Sequence, residues 1–264
     1  MTKPREKRER HAVTVMDAVP SSRLLESRLL YRVFYTVYYG QCTVLQLPWH
    51  VVSKRKPTID LHYPTPNLRT PITSVIDRGD PQILSFLLEK NSTNLDGTVT
   101  QPWGRTALMY ASFVSRNPEI LQILLKKGAD PQKMDIRGWT CLQYAIVGER
   151  SKNVTFLLDA GVCINQKDVQ GRTPLMISVY RSNLDILSIL LDREADVNTQ
   201  DDMGFTALQI AILCRKRDAA IMLIERGSDM SVVTPLTKAS IGELCKTCMP
   251  KILRCLEPET RTLQ

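Results

Sequence analysis

GRTPLMIS, residues 171–178, decides the fold, because near-copies of it stand at GRTALMYA (104–111), GWTCLQYA (138–145) and GFTALQIA (204–211). The opening glycines are Gly104, Gly138, Gly171 and Gly204, one step of thirty-four followed by two of thirty-three. TPITSVIDRGD (70–80) enters the same register without its glycine. A repeat of this length means stacked supersecondary units, none able to bury its apolar face alone. Such stacks build a long surface rather than a pocket.

Each unit can be laid out from its threonine. Counting seventeen and eighteen positions on from Thr70 reaches Leu87 and Leu88. At the same distance Thr140 reaches Leu157 and Leu158, Thr173 reaches Leu190 and Leu191, and Thr206 reaches Leu223 and Ile224. Thr106 meets Leu124 and Leu125 one residue late, which places the extra residue of the longer step in a turn near Ser115–Pro118. A Thr hydroxyl caps free N–H groups at a helix start. Pro174, in the first helical turn, gives up no hydrogen bond there. Ile83, Leu84, Leu87 and Leu88 recur at spacings of three and four, one apolar helix face. Gly128, Gly161 and Gly227 suit left-handed backbone behind a second helix. Asp135, Asp168 and Asp201 each stand five before a threonine, where Asp favours a turn.

The pattern resembles the ankyrin repeat. The residues that carry the resemblance are Thr173-Pro174-Leu175, the pair Leu190-Leu191, and the hairpin starts Gly128-Ala129-Asp130, Ala195-Asp196-Val197-Asn198 and Gly227-Ser228-Asp229. It covers roughly residues 68–234. It implies an all-α ankyrin-repeat solenoid of about five helix-turn-helix units with hairpin tips and a helical C-terminal cap. It also implies a non-enzymatic protein–protein interaction module, and it puts Asn198 where ankyrin proteins can be hydroxylated on Asn. Residues 1–65 read as a basic leader with an aromatic, apolar helix and a linker. Residues 66–234 read as the repeats, and residues 235–264 as a cap or an elongin-binding tail.

Charge and composition narrow the function. Residues 1–60 hold 11 Lys+Arg against 5 Asp+Glu, so most of the formal charge of +8 sits in the leader. The array is close to neutral, which argues against nucleic-acid binding by the repeats. MTKPREKRER reads as a solvated tail or an import patch. Val33 to Ser53 carries no charged side chain, but its Gln, Pro, His and Tyr content points to a helix packed on the first repeat or a partner-binding segment rather than a membrane span. The seven cysteines are odd in number and fit a reducing compartment, cytoplasm and/or nucleus. All three histidines (11, 50 and 62) precede the array, and there is no Gly-rich phosphate loop, so no catalytic set and no cofactor are expected. Cys245-Lys246-Thr247-Cys248 with Cys255 offers three thiolates where a closed zinc site takes four ligands, so no metal is expected.

In the ankyrin arrangement, hairpin tips and first helices share one concave side. The residue before each threonine then faces that side: Arg105, Trp139, Arg172 and Phe205. Seven residues after the threonines stand Phe113, Val147, Tyr180 and Leu213, and the hairpins add Trp103, Ile136, Arg137 and Met203. Aromatic residues, Arg and Met dominate binding energy at interfaces. The expected partner is a protein or peptide, bound by a monomer; the alternative occupant of this side is the chain's own N-terminal segment. Trp139, as an interface residue, is expected to be dispensable for melting, whereas Leu190→Ala is expected to cost roughly 2–5 kcal/mol.

Two readings of the tail stay open. In one, Thr234-Pro235-Leu236 with Ala239 begins a sixth repeat whose hairpin is cut by about five residues, with Met249–Leu256 as the capping helix. In the other, SIGELCKTCMPKILRCLEP (240–258) resembles the elongin-binding half of a suppressor-of-cytokine-signalling box. That resemblance implies elongin B–C contacts through Ile241, Leu244, Cys245 and Met249, and a substrate-recognition role in a cullin-type ubiquitin ligase.

Overall fold

The structure, a computed structural model, describes residues 70–90, 94–100, 103–233 and 241. Among the described residues, ten helices run in five consecutive pairs. They are α1 (Pro71–Arg78) with α2 (Pro81–Lys90), α3 (Ala107–Val114) with α4 (Pro118–Lys126), α5 (Cys141–Val147) with α6 (Ser151–Asp159), α7 (Pro174–Arg181) with α8 (Leu184–Asp192), and α9 (Ala207–Leu213) with α10 (Arg217–Glu225). Each first helix packs on its partner and on the first helices before and after it; the second helices form a parallel outer row. Among the described residues the only β pairing is two isolated bridges, Thr100–Arg105 and Gln200–Thr206. The leader, the 33–53 stretch and the tail apart from Ile241 lie outside the described residues.

The expected helix starts are present. Thr70, Thr106, Thr173 and Thr206 each accept a hydrogen bond from the backbone N–H three residues on, at 3.3–3.4 Å. Thr140 differs: its backbone N–H and its hydroxyl both donate to Gln143 Oε1. Buried Gln143 then donates onward to the Gln166 carbonyl at 3.0 Å, tying α5 to the following hairpin. The apolar residue two after each threonine is shut away, as Ile72, Leu142 and Leu208 show at 0% exposure, and so is the second-helix row of Leu124, Leu157, Leu190 and Leu223.

The extra residue falls in the turn between α3 and α4, as the spacing predicts. It changes that turn. In the other four units the ninth residue after the threonine is left-handed: Gly79, Glu149, Ser182 and Arg215, with φ between 57° and 66°. Ser115, its counterpart, has φ −67° and needs no such strain.

The three hairpin aspartates act as the turn chemistry requires. Asp135 Oδ1 accepts from the N–H groups of Arg137 and Trp139 at 2.8 and 2.9 Å. Asp168 repeats this with Gln170 and Arg172, and Asp201 with Met203 and Phe205. Successive hairpins are also joined to each other: Val169 N–H donates to the Arg137 carbonyl at 3.0 Å and Asp202 N–H to the Gln170 carbonyl at 3.1 Å. The approach is so close that a β-carbon on Gly171 would collide with Asp202, so this position must be glycine on steric grounds as well as for its φ of 72°.

Candidate protein-binding surface

Hairpins and first helices place the sequence-predicted residues on one connected strip. Arg105 Nε donates to the Tyr144 hydroxyl at 3.0 Å, and Tyr144 meets the edge of Trp139 with ring centroids 5.5 Å apart. Trp139 Nε1 donates to Asp168 Oδ2 at 3.1 Å, and Arg172 Nη2 binds the same oxygen at 2.7 Å. Three of the four residues that precede a threonine are therefore linked in order. Phe205, the fourth, is half-buried against the core.

The centre of the strip is saturated. The Arg137 guanidinium lies 4.5 Å from the Trp103 ring centroid and 4.1 Å from that of Trp139, a sandwich of the cation–π kind. Its Nε pairs with Asp135 Oδ2 at 3.2 Å and its Nη2 donates to the Tyr144 hydroxyl at 2.7 Å. Tyr144 in turn donates to Asp135 Oδ2 at 2.7 Å. Arg105 also leans over Phe113, at 5.8 Å. Tyr144 is the organiser, and sequence reasoning missed it: it stands four residues after Thr140, a place filled by buried Ile177 and Ile210 in later units. Burial pushes its phenol up from the ordinary value, and the hydrogen bond to Asp135 adds to this. At Asp168 burial pushes the carboxyl up, but the hydrogen bonds from the Arg172 side chain, two backbone N–H groups and Trp139 outweigh it and hold the group below its usual range.

These contacts correct the expectation that Trp139 is dispensable for melting. Its ring is half-buried against the core and its N–H binds the next hairpin, so it holds units three and four together. Arg105, Arg137 and Arg172 are likewise engaged within the array. Phe113, Val147 and Phe205 pack partly against the core, whereas Met203 is 57%, Tyr180 46% and Leu213 43% exposed, and Trp103 keeps 38% exposure beside Arg137. Two hairpin residues that sequence reasoning did not single out, Met134 and Val169, are exposed as well, and so is Ile136. The period signals which positions lie on hairpins; only the aspartate-centred turn shows that its flanking residues point away from the stack.

The tail site is not assembled among the described residues. Ile241 is helical and fully buried in the core, so it offers no side chain to elongin; Leu244, Cys245 and Met249 lie outside the described residues. Asn198 uses its side-chain carbonyl to accept from the Asp229 N–H at 2.7 Å, a contact that Asn165 makes with Asp196 one unit earlier. Among the described residues no three His, Cys, Asp or Glu side chains gather as metal ligands do, and no helix is long and apolar enough to cross a membrane.

The family description "Ankyrin repeats (3 copies)" matches residues 35–135, 75–168 and 164–234. The chain belongs to the ankyrin-repeat family. The ankyrin array resembles the solved ankyrin repeat domain of Bcl-3, of the IkappaB protein family, with a TM-score of 0.63 and 26% identity over 78% of this chain and 90% of that one. Residues of the array are 31% identical to the Notch-regulated ankyrin repeat-containing protein of Xenopus tropicalis, over 36% of this chain and 82% of the relative. The Homo sapiens counterpart is 34% identical over 31% of this chain and 73% of the relative. A putative ankyrin repeat protein of Rickettsia bellii is 34% identical over 32% of this chain, which spans only a quarter of that protein's length. Ankyrin repeats make this chain a protein–protein interaction module.

Proposed function

We propose that the ankyrin array binds a protein or peptide through its hairpin tips and first-helix face. One observation carries this reading. Of the ten large apolar side chains exposed among the described residues, seven lie in the loops that lead to first helices or on first helices, Met230 and Val233 follow the last second helix, and Leu184 stands on a second helix. Apolar exposure concentrated on one side marks an interaction site. Tyr180, Met203 and Leu213, open and unsaturated, are the contact residues in units four and five; Trp103 and Ile136 serve units two and three. The saturated arginine–tryptophan centre gives the partner a rigid floor.

The test is proximity labelling in cells with the full chain and with Tyr180→Ser and Leu213→Ser combined. The reading expects a set of labelled neighbours that is lost in the variant while its abundance and melting stay unchanged. An unchanged set of neighbours overturns it. Recruitment of elongin B–C rests on resemblance alone, and the burial of Ile241 counts against it. The described cysteines, Cys141, Cys163 and Cys214, are all free thiols, which supports a reducing compartment such as the cytoplasm or nucleus.

A further inference from the structure

We propose that the binding strip is bipolar: Arg105 takes an acidic side chain of the bound segment and Asp201, three units away, takes a basic one. The partner is then a protein segment with a carboxylate near one end, a cation near the other and apolar residues between. This rests on the binding reading above and gives it a chemistry and an orientation.

Unit four shows how the two positions normally use each other. Asp168 stands five before its threonine and Arg172 one before it. Arg172 Nε and Nη2 both donate to Asp168 Oδ2, at 2.8 and 2.7 Å, while Oδ1 caps the turn. Both charges are cancelled within one hairpin. Unit three reaches the same end by another route. Trp139 takes the arginine's place, and Arg137, two residues earlier, pairs with Asp135 at 3.2 Å.

Units two and five each keep half of this clip. Unit two has the arginine, Arg105, but Gln101 stands five before its threonine. Unit five has the aspartate, Asp201, but Phe205 stands at the place of Arg172 and Met203 at that of Arg137. Neither Arg105 nor Asp201 forms an ion pair among the described residues.

Arg105 is nevertheless held in place. Its Nε donates to the Tyr144 hydroxyl at 3.0 Å, and its guanidinium lies 4.9 Å from the Tyr144 ring centroid and 5.8 Å from that of Phe113. Arg137 Nη2 meets the same hydroxyl. Two guanidiniums thus share one phenol oxygen and one carboxylate, Asp135, and a positive charge is left over. The two Nη groups of Arg105 have no hydrogen-bond partner among the described residues. A guanidinium already stacked and fixed loses little rotamer freedom when a ligand arrives, and its paired N–H groups match a carboxylate.

Asp201 is the counterpart. Its Oδ1 accepts from the N–H groups of Met203 and Phe205 at 3.0 and 2.8 Å, which fixes the carboxylate, and Oδ2 has no partner among the described residues. Asp201 lies beside the open Tyr180, whose phenol is pushed up by burial first and then by the neighbouring Cys214 and Asp201. Asp202, exposed, adds a second negative charge. Between the two ends Ile136, Val169 and Tyr180 are open. Neighbouring helices sit about 8–10 Å apart, so three steps separate the charges by roughly 25–30 Å. An extended segment of about nine residues spans that distance. A nucleic acid, anionic throughout, would meet like charge at Asp201 and Asp202.

The experiment selects random twenty-residue peptides, displayed on phage, against the native full-length chain. The expected consensus carries Asp or Glu toward one end, Lys or Arg toward the other and apolar residues between. Selection on Arg105→Gln is expected to lose the acid alone. Selection on Asp201→Asn, whose amide oxygen still caps the turn, is expected to lose the base alone. Arg193→Gln, changed at the end of α8, is expected to keep both; loss of the acid there as well reduces the preference to overall charge and overturns the proposal. In one selected peptide, changing the acid to its amide is expected to weaken binding to the natural chain about tenfold, as for hydrogen bonds between charged groups, and to leave binding to Arg105→Gln unchanged. A weakening under about twofold on the natural chain overturns the pairing, whatever the variants do. An apolar consensus without the two charges overturns the proposal while the binding reading stands. No enrichment over a chain carrying Tyr180→Ser and Leu213→Ser overturns that reading itself. A single-stranded oligouridine of the same length that binds as tightly as the selected peptide overturns the choice of a protein segment.

Discussion

Seven residues after the threonine, units two and three carry Phe113 and Val147 packed against the core, whereas units four and five carry Tyr180 and Leu213 exposed. Tyrosine against isoleucine accompanies the difference. Four residues after the threonine, units two and three have Tyr110 and Tyr144; units four and five have Ile177 and Ile210. The Tyr110 hydroxyl donates to Asp77 at 2.6 Å, and that of Tyr144 collects Asp135, Arg105 and Arg137. Ile177 and Ile210 bring no hydroxyl to the hairpins, and Tyr180 and Leu213 in the same units are exposed. A recognition position in a stacked array is available to a partner only where no neighbouring unit claims it.

The core should be indifferent to this contrast. Leu124 in α4 and Leu190 in α8 are both 0% exposed at the same place in their helices. Each truncation to Ala should cost about 2–5 kcal/mol in thermal or denaturant unfolding. Unequal losses well beyond that spread would break the comparison, because the halves would then differ in packing and not only at the surface.

Tyr144→Phe sharpens it. The ring stays and the hydroxyl goes, leaving Asp135 and two arginines without their common partner. About 2 kcal/mol should be lost, as for hydrogen bonds to charged groups. Ile177→Val, at the same place in unit four, touches no polar group and should cost less than half of that. Denaturant titration of both variants compares them directly.

Glu194 gives a smaller effect of opposite sign. It sits at φ 59° where the units on either side have Gly161 and Gly227 at 81° and 82°. Glu194→Gly should stabilise by about 1 kcal/mol, since a non-glycine residue in left-handed backbone is strained. Calorimetry checks it.

Asp168 adds a pH signature to the saturated half. Its carboxyl is held below the ordinary value near about 3.9. The stability it contributes is therefore complete above that value and is lost as the pH falls through the lower folded value. Melting of Asp168→Asn against the natural chain should show a gap near neutral pH that narrows as the pH falls below the ordinary carboxylate value. A gap of constant size would mean that the carboxylate charge is not what matters.

Much of the scaffold was legible from local pattern. The threonine caps, the leucine pairs, the left-handed Gly128, Gly161 and Gly227 and the position of the extra residue each depend on a few neighbouring residues, and each stands where the spacing puts it. The strip was legible as a place but not in its use. Trp139 binds Asp168, 29 residues on, and Arg105 binds Tyr144, 39 residues on. Whether such a side chain turns inward depends on what the next hairpin offers, which no pattern within one unit contains.

The most direct measurement is the melting temperature of the full chain with Trp139→Ala beside that with Tyr180→Ala. The inward-turned tryptophan should cost about 2–3 kcal/mol, a drop of several degrees, and the outward-facing tyrosine about 0.5 kcal/mol or less. Equal losses, or a larger loss at Tyr180, would contradict the division between a saturated half that holds the array together and an open half that is free to bind.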